Sequence, residues 1–461
     1  MIPFHLSYLC ADMVQVIGLW VSMLIYWSFV APVAPKNYEV EKLPSSINSD
    51  EFDETNPVLS ADGSVLYFTR VGSPAFDKTL MHLDQDLSKT LNIQEYSDKL
   101  RSIYSQILGY SVSDPVHSEA NQDIWIAYLQ KDKTYVVEHP GYPLNSALPN
   151  SVCSISKQDD GLIIINQFDP DGGLKKGFSS IRKGAEGAWD FPEPIRITNY
   201  YSLKNEVNLH MHSSGDIMIL SLAQNDALGS NDLYISQRIS GQIWSAPLNL
   251  GPVVNSSFRE STPFLSRDGE YLFFASNRPG CLGGTDIWVS RRNGPDWTDW
   301  TPPFALKSPL NTEADESQPY WDEKNGQFYF SSKRDGSSDI FKAKIAIPKQ
   351  DAFKDLSVYC TIQDYKTKEA LGAQIVFSQP SAKDFVGQYY APNGKATIRL
   401  FENGPMNIRI EKPGYAIVEK TFDPAQTIWG DSMANHLLFE LKPQYQEENI
   451  QIVEEKVQPP P

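Results

Sequence analysis

The chain has 461 residues, with 57 acidic against 40 basic side chains, a formal charge of −17 and a pI near 4.9. That balance leaves no basic stripe to neutralise phosphates, so it argues against nucleic acid and disfavours an anionic membrane face. Aromatics at 12 %, 32 prolines and few long helical periods point to an all-β protein, long enough for two or three domains.

The first 35 residues differ from the rest. Met13 to Ala34 carries no charge and is followed by Pro35 and Lys36. Its length suits a membrane span, and its end, Ala31-Pro32-Val33-Ala34, suits a cleaved secretory signal, although no Lys or Arg precedes it. Either fate for residues 1–35, signal peptide or N-terminal membrane anchor, puts the remainder outside the cytoplasm. Leu9 before Cys10 is not the small residue that a lipidation site wants.

From there the chain repeats itself. TNPVLSADGSVLYFTR (55–70) with QDIWIAYLQ (122–130) is the first copy. NSVCSISKQDDGLIIINQ (150–167) with FSSIRK (178–183) is the second, and 207–238 the third. STPFLSRDGEYLFFASNRPGCLGGTDIWVSRR (261–292) and SQPYWDEKNGQFYFSSKRDGSSDIFKAKI (317–345) follow. Each reads as two apolar strands joined by a tight turn, a loop and a third strand; Asp268-Gly269 supplies positive φ angles, and Tyr271, Phe273 and Phe274 are strong strand formers. A fourth strand follows four of them, at 135–140, 194–199, 246–251 and 303–308. Units too small to bury their own apolar faces, with four strands each, predict a β-propeller of five blades, or six if one hides in the insertion described next. The last copy lacks a fourth strand, and YEVEKLPSSINS (38–49) resembles LNLGPVVNSS (248–257). Residues near Tyr38–Leu43 are therefore expected to complete the last blade and close the ring, removing both free edges.

Between the second and third strands of the first blade lies an insertion, 72–121. Tyr96, Leu100, Ile103, Tyr104 and Ile107 fall on one helical face. It is expected on the face of the blade-to-blade links, over one mouth of the channel, either as a binding element or as cover for an apolar patch of the first blade. The propeller spans 36–348 on this reading. Strand-period segments with turn signals at Asn393-Gly394, Asn403-Gly404 and Pro413-Gly414 then predict a small β-sandwich over 356–443, and the polar, acidic 444–461 reads as a disordered tail.

The units at 261–292 and 317–345 resemble the TolB-type WD40-like repeat. Segment 356–423, with Cys360–Asp364, Thr367–Ala370, Gly372-Ala373, Gly394 and Pro413-Gly414-Tyr415, resembles the carboxypeptidase regulatory-like (transthyretin-like) module. Propeller followed by this module is similar to periplasmic, outer-membrane-associated proteins of Bacteroidota-type bacteria, some of them in type IX secretion and gliding machinery. The resemblance implies a non-enzymatic scaffold in an envelope or outer-membrane protein complex. Relatives often continue into an OmpA-like peptidoglycan-binding domain; none is read before Pro461, so docking on another envelope protein is expected rather than direct peptidoglycan binding.

Glu54, Glu206, Glu260 and Glu316 recur at the head of the first strand and could ring a channel mouth; converging like charges favour pairing to backbone amides or to arginines such as Arg278 and Arg334. Asp123, Asp232, Asp286 and Asp339 recur before the third strand and read as turn-fixing groups. His210 and His212 share a strand face without a third zinc ligand, and Asp169 and Asp171 are too few oxygens for calcium. No nucleophile elbow, phosphate loop or zinc helix is present, so no catalytic residue, metal or cofactor is expected. Cys153, Cys281 and Cys360 fall in different units and read as packing residues. For partner binding the candidates are Tyr96, Tyr104 and Trp125 as aromatic anchors, with Arg278, Lys333 and Arg334 as donors. A glycan or peptide receptor using the channel mouth is the alternative.

Overall fold

A computed structural model describes residues 39–156, 161–184, 186–278, 280–345, 356–378, 385–400, 405–423 and 436–444. The segment read as signal or anchor and the tail beyond Gln444 lie outside these residues. The described chain is nearly all β and propeller-like. After β1 (Val40–Lys42), the first sheet is built from β2 (Asp53–Leu59), β3 (Val65–Val71), β6 (Gln122–Leu129) and β7 (Tyr135–Glu138). Inserted between β3 and β6 are the hairpin β4 (Met81–His82) and β5 (Gln85–Asp86) and the helices α1 (Leu87–Thr90) and α2 (Ile93–Leu108). The second sheet is β8 (Val152–Ile155), β9 (Gly161–Phe168), β10 (Leu174–Arg182) and β11 (Glu193–Pro194). The third comprises β12 (Arg196–Ile197), β13 (Asn208–Met211), β14 (Ile217–Leu222), β15 (Asp232–Ser240), β16 (Ile243–Trp244) and β17 (Leu248–Asn249). The fourth is β18 (Glu260–Leu265), β19 (Tyr271–Ser276), β20 (Asp286–Arg291) and β21 (Phe304–Ala305). The fifth is β22 (Glu316–Asp322), β23 (Gln327–Ser332) and β24 (Asp339–Lys344), with β1 as its outer strand.

The pairing of β1 with β24 is antiparallel, Val40 opposite Ala343 and Lys42 opposite Phe341. Residues from the start of the repeat region thus finish its last sheet, where the resemblance of 38–49 to 248–257 pointed. Inner strands neighbour one another in a closed cycle: β2 beside β8, β8 beside β13, β13 beside β18, β18 beside β22 and β22 beside β2.

Packing follows the same cycle. Ile124 and Ile126 share a core with Val152 and Leu162, Ile163 and Phe178 with Leu220 and Trp244, and Ile219 and Leu233 with Phe274 and Trp288. Phe273 of the fourth sheet lies 5.2 Å from Phe328 of the fifth, and Tyr329 and Ile340 of the fifth pack with Leu66 and Phe68 of the first. Middle strands are covered on both faces, which is why Leu272 to Ala275 forms a continuous buried apolar run.

Two local expectations change. In the Asp268-Gly269 turn the glycine alone takes positive φ, +70°, while Gly269 N donates to Ser266 O. Segment 194–199 is not one outer strand: β11 pairs with β10, then β12 crosses to pair in parallel with β16 of the next sheet. Ile195, buried beside Phe178 and Trp244, fixes that crossing.

Seven further strands follow among the described residues: β25 (Leu356–Asp364), β26 (Ala373–Ser378), β27 (Phe385–Ala391), β28 (Lys395–Leu400), β29 (Met406–Glu411), β30 (Val418–Phe422) and β31 (His436–Leu441). They form two sheets, β28-β25-β31 and β27-β26-β29-β30, with β25 and β31 parallel. Val358, Ile362, Ile375, Phe377, Ile408 and Phe439 make a shared core. Asp364 collects Lys366 N, Thr367 N and the Tyr415 hydroxyl at 2.7–3.2 Å, which ties the Pro413-Gly414-Tyr415 turn to the first strand.

Candidate functional site

The recurring carboxylates divide into two kinds. Glu260 is fully buried and accepts from Ser256 N and Oγ, Ser276 Oγ and Arg278 Nη2, the last at 2.8 Å. Glu316 repeats this with Thr312, Ser332 and Arg334, and Glu54 with Ser49 and Arg70. Burial raises the Glu54 carboxyl above its ordinary pKa against the opposing pull of Ser49 and Arg70. Glu206 is different: its side chain is 72 % exposed and meets Arg259 at 3.0 Å. The aspartates act on turns. Asp232 accepts from Leu228 N, Gly229 N and Asn249 Nδ2, and Asp286 from Leu282 N and Gly283 N. Asp123 accepts from Asp77 N and bonds His139, while Asp339 meets Lys42 at 2.7 Å.

This arrangement corrects part of the expected partner surface. Arg278 is 1 % exposed; its Nε donates to Ser276 Oγ and its Nη2 to Glu260 and the Val254 carbonyl. Arg334 is likewise turned inward to Glu316, Pro309 O and Leu310 O. Tyr104 is buried, with its hydroxyl on Ala147 O at 2.7 Å, and Tyr96 is half-buried on Lys78 O. Trp125 is half-buried between His139, stacked at 4.3 Å, and the Arg70 guanidinium at 4.2 Å. Lys333 remains exposed. Deep burial closes Arg278 and Tyr104 to any partner.

Sequence reasoning missed a set of buried asparagines in the links. Asn48, Asn145, Asn255 and Asn311 each accept the amide of a third-strand residue (Ile340, Ile124, Leu233 and Ile287) and donate back to that residue's carbonyl. Each link is thereby stitched to the sheet it leaves. Three of them stand immediately before the Ser or Thr that holds the buried Glu, a recurrence visible in the sequence.

The axis is lined by neutral groups. Asn56, Ser151, Asn208, Thr262 and Gln318, one from each sheet, border a cavity of about 50 Å³. That is room for about three to five waters, and far below the roughly 300 Å³ of a small-molecule pocket. Its other lining residues include Cys153, His210 and three prolines. Asn56, Thr262 and Gln318 stand at φ +54°, +45° and +51°, each directly before a proline and inside a bulge of its inner strand. Such backbone costs an L residue about 1–2 kcal/mol, so its threefold recurrence marks a constrained place. Asn56 Nδ2 donates to Ser151 Oγ, Thr262 N to Asn208 Oδ1 and Gln318 N to Thr262 Oγ1. Between Ser151 and Asn208, and between Gln318 and Asn56, no such bond is found among the described residues, and Gln318 Oε1 is buried without a partner.

His210 and His212 bond the carbonyls of Leu265 and Arg267 in the next sheet, and burial pushes the His210 imidazole down to about 3. Asp169 bonds Lys175 within its own turn. Among the described residues no cluster of three or more His, Cys, Asp or Glu is placed to hold a metal.

The insertion leans on the links. α2 starts with a capping box between Asn92 and Glu95 and ends at Gly109, φ +79°. Leu100 and Tyr104 enter the core shared by the first two sheets. Leu83 N donates to Asp171 O and Asn205 Nδ2 to Ile107 O, so the insertion reaches turns of the second sheet and the link to the third. None of its residues lines the axial cavity. Tyr110, Tyr201, Leu203 and Leu228 are each at least 40 % exposed.

No protein-family model matches this sequence, and no curated protein does. Among solved structures, a TolB candidate from Agrobacterium tumefaciens is similar at 12 % identity and TM-score 0.34, over 79 % of this chain and 98 % of that one. The β-propeller domain of the Trilobed protease from Pyrococcus furiosus is similar at 11 % identity and TM-score 0.29, over 80 % and 79 %. A family 117 glycoside hydrolase from Zobellia galactanivorans is similar at 12 % identity and TM-score 0.40, over 68 % and 91 %. Likenesses of this grade carry no weight for activity or substrate.

Proposed function

We propose that this chain is a non-catalytic, exported scaffold: a five-bladed propeller over 36–348, then a transthyretin-like sandwich over 356–443, acting as a protein-binding subunit of a cell-envelope machine. Five four-strand repeats with their inner strands in a closed cycle support the blade number, and the two sheets sharing one core support the sandwich. The uncharged run 13–34 supports export, with the protein held in the periplasm or at the outer membrane.

One observation carries the binding role. The buried glutamates and their arginines are engaged in holding the ring together, whereas apolar side chains stand in solvent nearby: Tyr110 beside the end of α2, and Tyr201, Leu203 and Leu228 on loops of the third sheet. Asn205 ties that link to α2, and Asn225 N donates to the Tyr201 hydroxyl. Exposed apolar groups gathered on positioned loops are a docking feature for protein. The axial cavity is too small for a sugar or a peptide, which disfavours the receptor reading.

The test is affinity purification from the native envelope with Leu203→Asp/Leu228→Asp against wild type. Removing 75–120 is the poorer test, because it also takes Leu100 and Tyr104 out of the core. Loss of co-purifying envelope proteins at unchanged melting temperature is expected. An identical set of partners would sink the assignment of this surface.

A further inference from the structure

We propose that the axial cavity is a monovalent-cation site caged by neutral oxygens, one side chain from each of the five sheets. The residues are Asn56, Ser151, Asn208, Thr262 and Gln318. This inference is independent of the scaffold reading above.

The chemistry of the lining selects the guest. No Asp, Glu, Lys or Arg lines the cavity, so nothing there neutralises a divalent ion, whose sites are built on carboxylates, and no side chain offers an ionic partner to an anion. The buried atom left without a partner, Gln318 Oε1, is an acceptor. An unpartnered buried acceptor calls for a donor or a positive charge. Amide and hydroxyl oxygens replace the water shell of a large monovalent ion, as carbonyl rings do in potassium channels. The cavity accommodates one such ion with a few waters. A formal charge of −17 raises the local concentration of cations.

The position of the free acceptor gives the ion a purpose. Around the axis, each of two belt side chains accepts the amide of the next sheet's belt residue: Asn208 from Thr262, then Thr262 from Gln318. Among the described residues two junctions lack such a bond, Ser151 to Asn208 and Gln318 of the fifth sheet to Asn56 of the first, and it is at the second, where the ring closes, that a buried belt acceptor is left over. A cation held by Gln318 Oε1 restores the missing link there. The three left-handed residues before prolines hold the belt in place before the ion arrives.

The experiment is a melting curve of the full chain in potassium chloride, sodium chloride and choline chloride at equal ionic strength. A saturable rise on the order of 3 °C in potassium or sodium over choline is expected. Gln318→Met, close in size but lacking the oxygen, should abolish that difference whatever it does to the melting point in choline. If the variant does not fold, wild-type crystals soaked in thallium(I) acetate decide: an anomalous peak beside Gln318 supports the site. Equal melting points in all three salts, a difference retained in Gln318→Met, or water alone at that position overturns it.

Discussion

Removing the guanidinium of Arg278 is the most direct way to ask what holds the ring together. Arg278→Ala strips Glu260 of the cation it pairs with while leaving the carboxylate buried, with Ser256 and Ser276 as donors. It also frees the Val254 carbonyl and empties the space against Phe274 and Trp288, whose rings lie 5.1 and 5.2 Å from the guanidinium. Breaking a fully buried pair from one side costs about 3–5 kcal/mol, and exposure of 1 % leaves no solvent screening to discount. Arg334→Ala, in the same place of the next sheet, should cost roughly half as much, because its side chain is 17 % exposed and its contact with Glu316 is 3.3 Å. Replacing both partners with near-isosteres, Glu260→Gln with Arg278→Met, should recover most of the loss, which marks it as an orphaned charge rather than lost packing. Urea unfolding read by tryptophan fluorescence measures all three, Trp288 being a reporter beside the site. A loss below about 1 kcal/mol for Arg278→Ala, the value of an exposed pair, would refute the strut.

Asn311→Ala should destabilise by roughly 2–4 kcal/mol, since it leaves the buried Ile287 amide and the Leu306 carbonyl without their partner and takes one of the two donors from the Ile287 carbonyl, which keeps Leu306 N. Faster hydrogen exchange at the Ile287 amide would localise the effect. Removing β1 by truncation through Leu43 exposes the edge of β24, and concentration-dependent association by light scattering is the expected result; a monodisperse product would show that closure does not depend on β1. Burial pushes the Cys281 and Cys360 thiols up to about 11 and 12, so their alkylation in the folded protein should be slow at pH 8 and rise about tenfold per pH unit below those values, as mapped by mass spectrometry in a Cys10→Ser background. Asp62, held down to about 2 by the Ser60 hydroxyl and then by Ser64, has a folded pKa below its unfolded 3.8. Its stabilisation is present above 3.8 and lost as pH falls through about 2, so Asp62→Asn should fall short of wild type at pH 7 and match it near pH 2 in acid melts.

The strands were legible because their signals are local: alternation, aromatic pairs and a glycine at each turn act within a dozen residues. Closure by Val40–Lys42 was legible for another reason, a repeat of the link sequence at the wrong end of the array. The arginines were legible in one of two roles. Pairing of the recurring glutamates with Arg278 and Arg334 follows from the cost of converging like charges, but an Arg two residues beyond a strand also looks like a surface donor until the fold buries it over Glu260 of the neighbouring strand. The link asparagines escaped because a lone polar residue in a loop has no period; only the third strand it bonds, far off in sequence for Asn48 and Ile340, reveals the role. The axial belt is the extreme case. Asn56, Thr262 and Gln318 share only a following proline, and nothing in one copy tells that five copies meet there.

The ionic struts are unevenly spread. Sheets one, four and five have a buried Glu with its Arg, whereas the second has the neutral Asn150 and the third the solvent-facing Glu206. The insertion bears on those two sheets, through Tyr104 on Ala147, Leu83 on Asp171 and Asn205 on Ile107. It works as a splint across the part of the wheel that has no buried ion pair. A partner that grips the insertion would therefore pull first on those two sheets.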